Sequence, residues 1–277
     1  MEILAITWNV FHGRDFPPDP ALFTWRSWLF GVEEQNETHV QVNRDLFDEF
    51  AGVLATARWD VALLQELPPR WAGRLAAACG AEMELTLTSR NWLRSLRRPI
   101  AQRRPDLMGA WEGGANAILA RGALGPRVDS AAVVLRGPPE RRIVTFARLE
   151  PGVVVANLHA SGPSPLAAED TRAAAEAAMA WAGDDPLILG GDLNVTPSES
   201  EVFDELARRF GLRLPTGPHS IDHLLARGLD IIEPPNAWPD DEREVDADGH
   251  AIRLSDHAPV QGRFGLSRNR LRAAGSR

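Results

Sequence analysis

Short apolar runs, each closed by a polar residue and separated by helix-like stretches, constrain the fold of this chain more than any other feature. Strand-like runs fall at 3–8, 61–65, 82–88, 116–120, 131–135, 142–149, 153–158, 187–190 and 221–225. Each is apolar or alternating and bounded by Gly, Pro or a polar cluster. Helical periodicity spans 40–57, 69–78, 165–181 and 197–210. Thr196 and Glu199 form a capping box for the last helix, Pro197 suits its first position, and Gly211 stops it. Ser164–Pro165 opens the preceding helix in the same way. Asp248–Gly249 reads as a hairpin turn between 244–247 and 251–254. Such alternation predicts an α/β fold. No internal repeat or linker divides the chain, so residues 1–265 are expected to form one domain, followed by a basic, disordered tail at 266–277. Two segments read as insertions: 13–38, with Phe23, Trp25, Trp28 and Phe30, and the Arg-rich loop 89–113.

Composition narrows the class. No stretch approaches the roughly 18 apolar residues of a membrane helix, and the N-terminus lacks the basic region of a signal peptide. The single cysteine, Cys79, reads as packing and suits a reducing compartment, so a cytoplasmic location is expected. The net charge of −8 is no general nucleic-acid footprint. All 30 positive side chains are arginine. Six of them, Arg90, Arg94, Arg97, Arg98, Arg103 and Arg104, lie in 90–104 without an acid. Four more, Arg268, Arg270, Arg272 and Arg277, occupy the tail. Residues 233–250 hold seven acids and one Arg and read as a solvated hairpin.

The ends of the apolar runs hold the chemistry. They deliver Asn9, Glu66, His159, Asp192 with Asn194, Asp222, and Asp256 with His257. Strands of one sheet system bring their ends to a common rim, where ligands of α/β proteins sit. Carboxylates and amide carbonyls are hard oxygen ligands suited to Mg²⁺ or Mn²⁺. Histidines donate to phosphoryl oxygens, and a free Asp takes a proton from water. This is equipment for metal-assisted hydrolysis of phosphate esters. His219 and His223, spaced H-x-x-x-H, suggest zinc, but no Cys or further His clusters with them.

The elements TWNVFHG around Asn9, LLQE at Glu66, GGANAILAR at 113–121, NLH at His159, GDLN at 191–194, IDHLL at 221–225 and LSDHAPV at 254–260 follow one another in order. In this order and spacing the chain resembles the endonuclease/exonuclease/phosphatase superfamily. The resemblance implies a four-layer α/β sandwich (α+β type), with two mixed β-sheets face to face and helices on both outer faces. It implies that Asn9, Glu66 and Asp256 hold Mg²⁺ or Mn²⁺. By the same resemblance Asp192 activates water, Asn194 holds the phosphate and orients Asp192, and His159 and His257 stabilise the transition state. Asp222 would orient one of these histidines, His159 or His257. The chain has no tyrosine, so a site role carried by tyrosine elsewhere must be absent or replaced.

For the substrate, a phosphodiester is expected, with nucleic acid favoured because the 90–104 loop and its Trp92 offer phosphate contacts and stacking. The acidic stretch 233–250 argues against a long polyanion. A phospholipid or inositol-type phosphate ester is the alternative, with the 13–38 insertion touching lipid or roofing the pocket, although ordinary packing of its aromatics on the sandwich is the blander expectation. A degenerate site that only binds is the third reading.

Overall fold

The computed structural model describes residues 1–89, 94–124, 127–138, 140–150, 152–162, 165–213 and 215–266. The first half runs β1 (Glu2–Asn9), α1 (Trp25–Phe30), β2 (Glu34–Gln35), β3 (Val40–Gln41), α2 (Phe47–Thr56), β4 (Val61–Leu67), α3 (Ala72–Cys79) and β5 (Glu82–Leu87). The middle follows as α4 (Arg94–Arg103), α5 (Pro105–Glu112), β6 (Ala115–Ala120), β7 (Arg127–Arg136), β8 (Arg142–Leu149) and β9 (Val153–His159). The last part is α6 (Leu166–Ala182), β10 (Leu187–Asp192), α7 (Val202–Phe210), β11 (Asp222–Arg227), β12 (Asp230–Ala237), β13 (Glu244–Ala247), β14 (His250–Arg253) and β15 (Val260–Gly265).

Two mixed sheets carry the architecture. One has the order β12-β15-β1-β4-β6-β5 and the other β11-β10-β9-β8-β7. Period-2 alternation makes both faces of each sheet apolar. Ile3, Ala5, Val61 and Leu63 face Val153, Val155, Ile188 and Leu224 between the sheets. The alternate residues Ile6, Trp8, Ala62 and Leu64 pack outward on Phe50, Leu54, Trp71 and Leu75 of the α2–α3 layer. On the opposite side, Val154, Ala156 and Leu189 pack on Ala174, Ala178, Phe203 and Leu206 of α6 and α7. Three apolar interfaces separate four layers, as the resemblance implies.

Several boundaries differ from expectation. Helix 40–57 starts only at Phe47, because Val40–Gln41 pairs with Glu34–Gln35 as a small ladder. The Thr196–Glu199 side-chain bond forms, at 2.9 Å, but closes a turn, and α7 begins at Val202. The 89–113 loop contains two helices, α4 and α5. The acidic stretch is only partly a hairpin. Its first part is β12, an edge strand on β15, and only β13–β14 turns through left-handed Asp248 and Gly249. Trp25, Trp28, Phe23 and Phe30 are exposed rather than packed as core. Ser164, residues 90–93 and the tail from 267 onward lie outside the described residues. Among the described residues no helix is long and apolar enough to cross a membrane.

Candidate active site

Register assembles the site. On the second sheet Asp192 pairs with His159 of β9 on one side and with Asp222 of β11 on the other, so the three lie in one row across the strand ends. Two glycines make this row possible. A Cβ on Gly191, at φ 138°, would overlap the Leu158 carbonyl, and one on Gly190 would meet Leu224 and Leu63. On the first sheet Asn9 pairs with Gln65, so Glu66 leaves the ladder one residue later. Below this rim a buried polar belt joins the sheets. Gln65 Nε2 donates to Asn157 Oδ1 at 2.7 Å, and Asn157 Nδ2 donates to the carbonyls of Leu64 and Ala117 at 2.9 and 2.8 Å.

The loops above the strands are held in strained conformations. Among the described residues, Phe11, His12, Glu66, Asn194 and Ser255 are non-glycine residues with φ between 49° and 63°, and all five border the site. Such backbone costs of order 1–3 kcal/mol per residue and persists only where the surroundings dictate it. The surroundings are visible here. Ser255 Oγ donates to the Asn9 carbonyl at 2.6 Å, and Trp8 Nε1 donates to the His257 carbonyl at 2.9 Å.

Around Asp192 the groups converge. Asn9 Nδ2 donates to its Oδ2 at 2.9 Å, and the Asn194 backbone N–H to its Oδ1 at 3.2 Å. His159 Nε2 lies 3.5 Å and His257 Nε2 3.9 Å from Oδ2. Burial, reinforced by repulsion from Asp222, raises the Asp192 carboxyl above its ordinary value. Burial disfavours charge on His257, but Asp222, whose Oδ2 bonds its Nδ1 at 2.7 Å, more than offsets this and raises it to about 10. The Asp222 carboxylate therefore serves His257, the choice that the sequence left open. His159 is lowered, chiefly by burial, against the pull of Asp192 and Glu66.

Glu66 sits between two histidines, with His12 Nε2 at 3.2 Å from Oε2 and His159 Nε2 at 3.8 Å from Oε1. Burial works against its charge, yet the histidines hold it below the ordinary carboxylate range. Asp256 is raised, first by burial and then by Glu66, which places the two carboxylates in one field. A cleft of about 260 Å³ opens on this cluster, lined by His12, Glu66, His159, Asn194, Ser89 and Arg142. The donor set suits a hard divalent cation: the Glu66 and Asp256 carboxylates in one field, beside the Asn9 amide. Asp192, Asp222 and His257 also bring ligand atoms within 4.8 Å of one another, although the last two are bonded to each other.

All eight residues read from the sequence, Asn9, Glu66, His159, Asp192, Asn194, Asp222, Asp256 and His257, line this rim. Asn194 Nδ2 is turned to the Ala160 carbonyl at 3.2 Å, so its backbone, not its amide, orients Asp192. His12 and Arg142 escaped sequence reasoning. A lone His before Gly13 looks like a turn residue, and Arg142 is one arginine among many. His223 is buried with both ring nitrogens committed, to the Thr216 N–H and the Val195 carbonyl, and His219 is exposed. That pair makes no zinc site.

Known proteins share this frame. A family protein of Bacteroides thetaiotaomicron superposes with TM-score 0.62 at 15% identity, over 96% of this chain and 98% of that one. A mannosyl-6-phosphatase of the same organism gives 0.61 at 14%, over 95% and 100%. The human Nocturnin catalytic domain gives 0.60 at 15%, over 96% and 95%. At such identity the likeness shows the fold. No curated protein matches the chain in sequence. The family model described as Endonuclease/Exonuclease/phosphatase family matches residues 6–257, from β1 through His257, and so takes in every strand end described above. The chain belongs to the endonuclease/exonuclease/phosphatase family, hydrolases of phosphoric esters.

Proposed function

We propose that residues 1–265 work as one domain that hydrolyses a phosphate ester by in-line attack of water, with Asp192 as the base. The observation that carries this reading is the position of Asp192, which is buried, hydrogen-bonded by Asn9 and flanked by both histidines. Asn9, Glu66 and Asp256 would hold Mg²⁺ or Mn²⁺. Bound there, the cation would polarise a phosphoryl oxygen and balance the carboxylates. Asp192 takes one proton of the water as its oxygen bonds to phosphorus. The ester P–O bond breaks on the opposite side, and the leaving oxygen acquires a proton. His257, charged through Asp222, donates to the phosphoryl oxygens as negative charge grows, and His159 donates beside it. Glu66 keeps His12 and His159 aligned, while Arg142 offers a fixed positive charge at the cleft wall. The buried single thiol of Cys79 supports the cytoplasm as the compartment.

The test uses a chromogenic soluble phosphate ester. Hydrolysis is expected with Mg²⁺ or Mn²⁺, lost on chelation and restored by the metal. Asp192→Asn is expected to retain the fold and lose on the order of 10²–10⁴ in rate. Near-normal turnover by that variant, or full activity after exhaustive chelation with no metal found by elemental analysis, overturns the mechanism.

A further inference from the structure

One face of the molecule is not explained by the chemistry at Asp192. The 13–30 segment exposes Phe16, Phe23, Trp25, Trp28, Leu29 and Phe30, with Trp25 67% accessible. The rings are gathered rather than scattered: Trp25 lies 5.8 Å from Phe30, and Phe16 lies 5.1 Å from Phe23. Thr24 caps α1 through a bond to the Ser27 N–H, and Glu34 accepts from Thr24 Oγ1, so the short helix is held in place with its aromatic residues outward.

Beside it stands α4, which exposes Leu96 and Ile100 among arginines. The two helices share a cavity of about 570 Å³ lined by Gly31, Arg44, Ile100, Arg103 and Arg104, with Glu33 as its one acid. Arg98 and Arg103 are exposed and make no ion pair among the described residues. Trp111 of α5 is also half exposed, next to Ala110, which lines the catalytic cleft. A second cavity of about 610 Å³ opens among Phe11, Phe16, Phe23, Trp25 and Trp28. Phe11 faces this cavity while His12, its chain neighbour, faces the catalytic cleft. Their consecutive left-handed backbone, φ 49° and 54°, divides the two side chains between the two cavities.

Aliphatic exposure decides what this face meets. A polyanion gains from arginine and from flat rings, but gains nothing from Leu29, Leu96 or Ile100. A bilayer interface gains from all three kinds: arginine at anionic headgroups, tryptophan at the headgroup level and aliphatic side chains among the acyl ends. The acid-free arginines of α4 supply this face with charge complementary to an anionic surface, in a chain whose net charge is −8.

We propose that α1, α4 and Trp111 dock on the surface of a membrane carrying anionic headgroups, and that a phospholipid in that surface is the ester presented to the Asp192 cleft. The docking stands on the exposed face alone. The substrate clause rests on the phosphate-ester reading above: water is the co-reactant, one P–O ester bond breaks, and the alcohol leaves with a proton. The 610 Å³ cavity beside Phe11 receives the apolar part of that lipid.

Co-sedimentation of the full chain with vesicles tests the docking. Vesicles of phosphatidylcholine containing phosphatidylglycerol are expected to carry the protein down at low salt, and pure phosphatidylcholine much less. Arg98→Gln and Arg103→Gln are each expected to weaken binding about fivefold. Trp25→Ala and Trp28→Ala should each weaken it about tenfold, with the melting temperature unchanged. Asp192→Asn is expected to bind vesicles as the parent does and to hydrolyse neither vesicle lipid nor soluble ester, so failure of docking and failure of the chemistry read out separately. Absence of vesicle binding by the parent overturns the proposal. So does a result in which the Arg variants lose plasmid DNA binding while vesicle binding is untouched, which assigns the face to nucleic acid. Soluble esters turned over as the parent's best substrates, with vesicle phospholipid untouched, overturn the substrate clause alone.

Discussion

Asn9 donates its Nδ2 to Asp192 Oδ2 at 2.9 Å, and this bond runs from a strand end of one sheet to a strand end of the other. Asn9 Oδ1 at the same time accepts from the Phe11 N–H at 3.0 Å, which fixes the amide's orientation. Removing the amide frees Asp192 to rotate away from the position a water must share with it. Asn9→Ala is expected to lower the turnover of a soluble ester about 10–100-fold. Asn9→Asp should do worse, because it sets a second carboxylate against a buried one. Steady-state kinetics of both variants decides. Equal activity of Asn9→Ala and the parent removes Asn9 from the machinery.

Asp222 and His257 act as a unit, so their losses should not add. His257→Ala is expected to cost about 10²–10³ in kcat, and Asp222→Asn somewhat less. The double variant should be no slower than His257→Ala by more than a few fold. A fully multiplicative double loss means that Asp222 acts on something other than His257.

The site was legible in the sequence because its polar residues stand at or beside the ends of apolar runs, and a strand end is where a buried sheet first meets solvent. Asn9, His159 and Asp192 are the last residues of β1, β9 and β10. The bond from Asp222 to His257 was not legible, because it depends on how far β11 and the 254–260 turn approach each other. Nor was the exposure of Trp25 and Phe30. Hydrophobicity says that a ring prefers to leave water, but not whether a sheet face remains to receive it. Both outer faces are already covered, by α2 with α3 and by α6 with α7. β12 escaped notice because Pro234, Pro235 and the acids of 233–242 read as loop. It is an edge strand, where proline and charge are tolerated.

Asn157 explains why the two rims stay in register. All three of its hydrogen-bonding directions described above are used between the sheets, where no water competes. Asn157→Ala leaves two carbonyls and the Gln65 amide without this partner, and is expected to cost roughly 3 kcal/mol or more. Asn157→Asp should cost more still, because its carboxylate faces two carbonyl oxygens. Urea unfolding of the two variants measures this. A loss below about 1 kcal/mol for Asn157→Ala removes the belt as a clamp.

Asp15 gives the fold a pH dependence that can be signed. Its carboxyl is fully buried, accepts from the Val42 N–H at 3.0 Å and lies near Asp106. Burial pushes it from 3.8 to about 8, with Asp106 adding to the rise. The folded state therefore keeps a proton that the unfolded chain releases above pH 3.8. Linkage then makes this group's contribution greatest below that pH, falling as pH rises until about 8. Asp15→Asn cannot ionise and keeps an acceptor for Val42. Its stability relative to the parent should rise between pH 5 and 8, by roughly 3–4 kcal/mol, measured by urea midpoints. A difference independent of pH means that Asp15 is already charged in the folded protein.

The crowded carboxylates give the last expectation. Burial raises both Asp256 and Asp192, with Glu66 adding to the first rise and Asp222 to the second, so charging these carboxylates costs the fold free energy that a bound cation would offset. A divalent cation bound there would stabilise the folded state by mass action, about 2.7 kcal/mol at a hundredfold excess over its dissociation constant. Mg²⁺ or Mn²⁺ should therefore raise the melting temperature of the parent even without substrate. Asp256→Asn removes a buried carboxylate that the fold disfavours, and Glu66→Gln removes one that the histidines stabilise. In chelator Asp256→Asn is expected to melt higher than the parent and Glu66→Gln lower; both should gain less from added metal and lose hydrolysis. Asp192→Asn should still respond to metal, since its role in the proposed chemistry is to take the proton of water. If Asp192→Asn abolished the metal-induced shift while Glu66→Gln and Asp256→Asn kept it, the cation would belong with Asp192, Asp222 and His257, whose ligand atoms lie within 4.8 Å of one another.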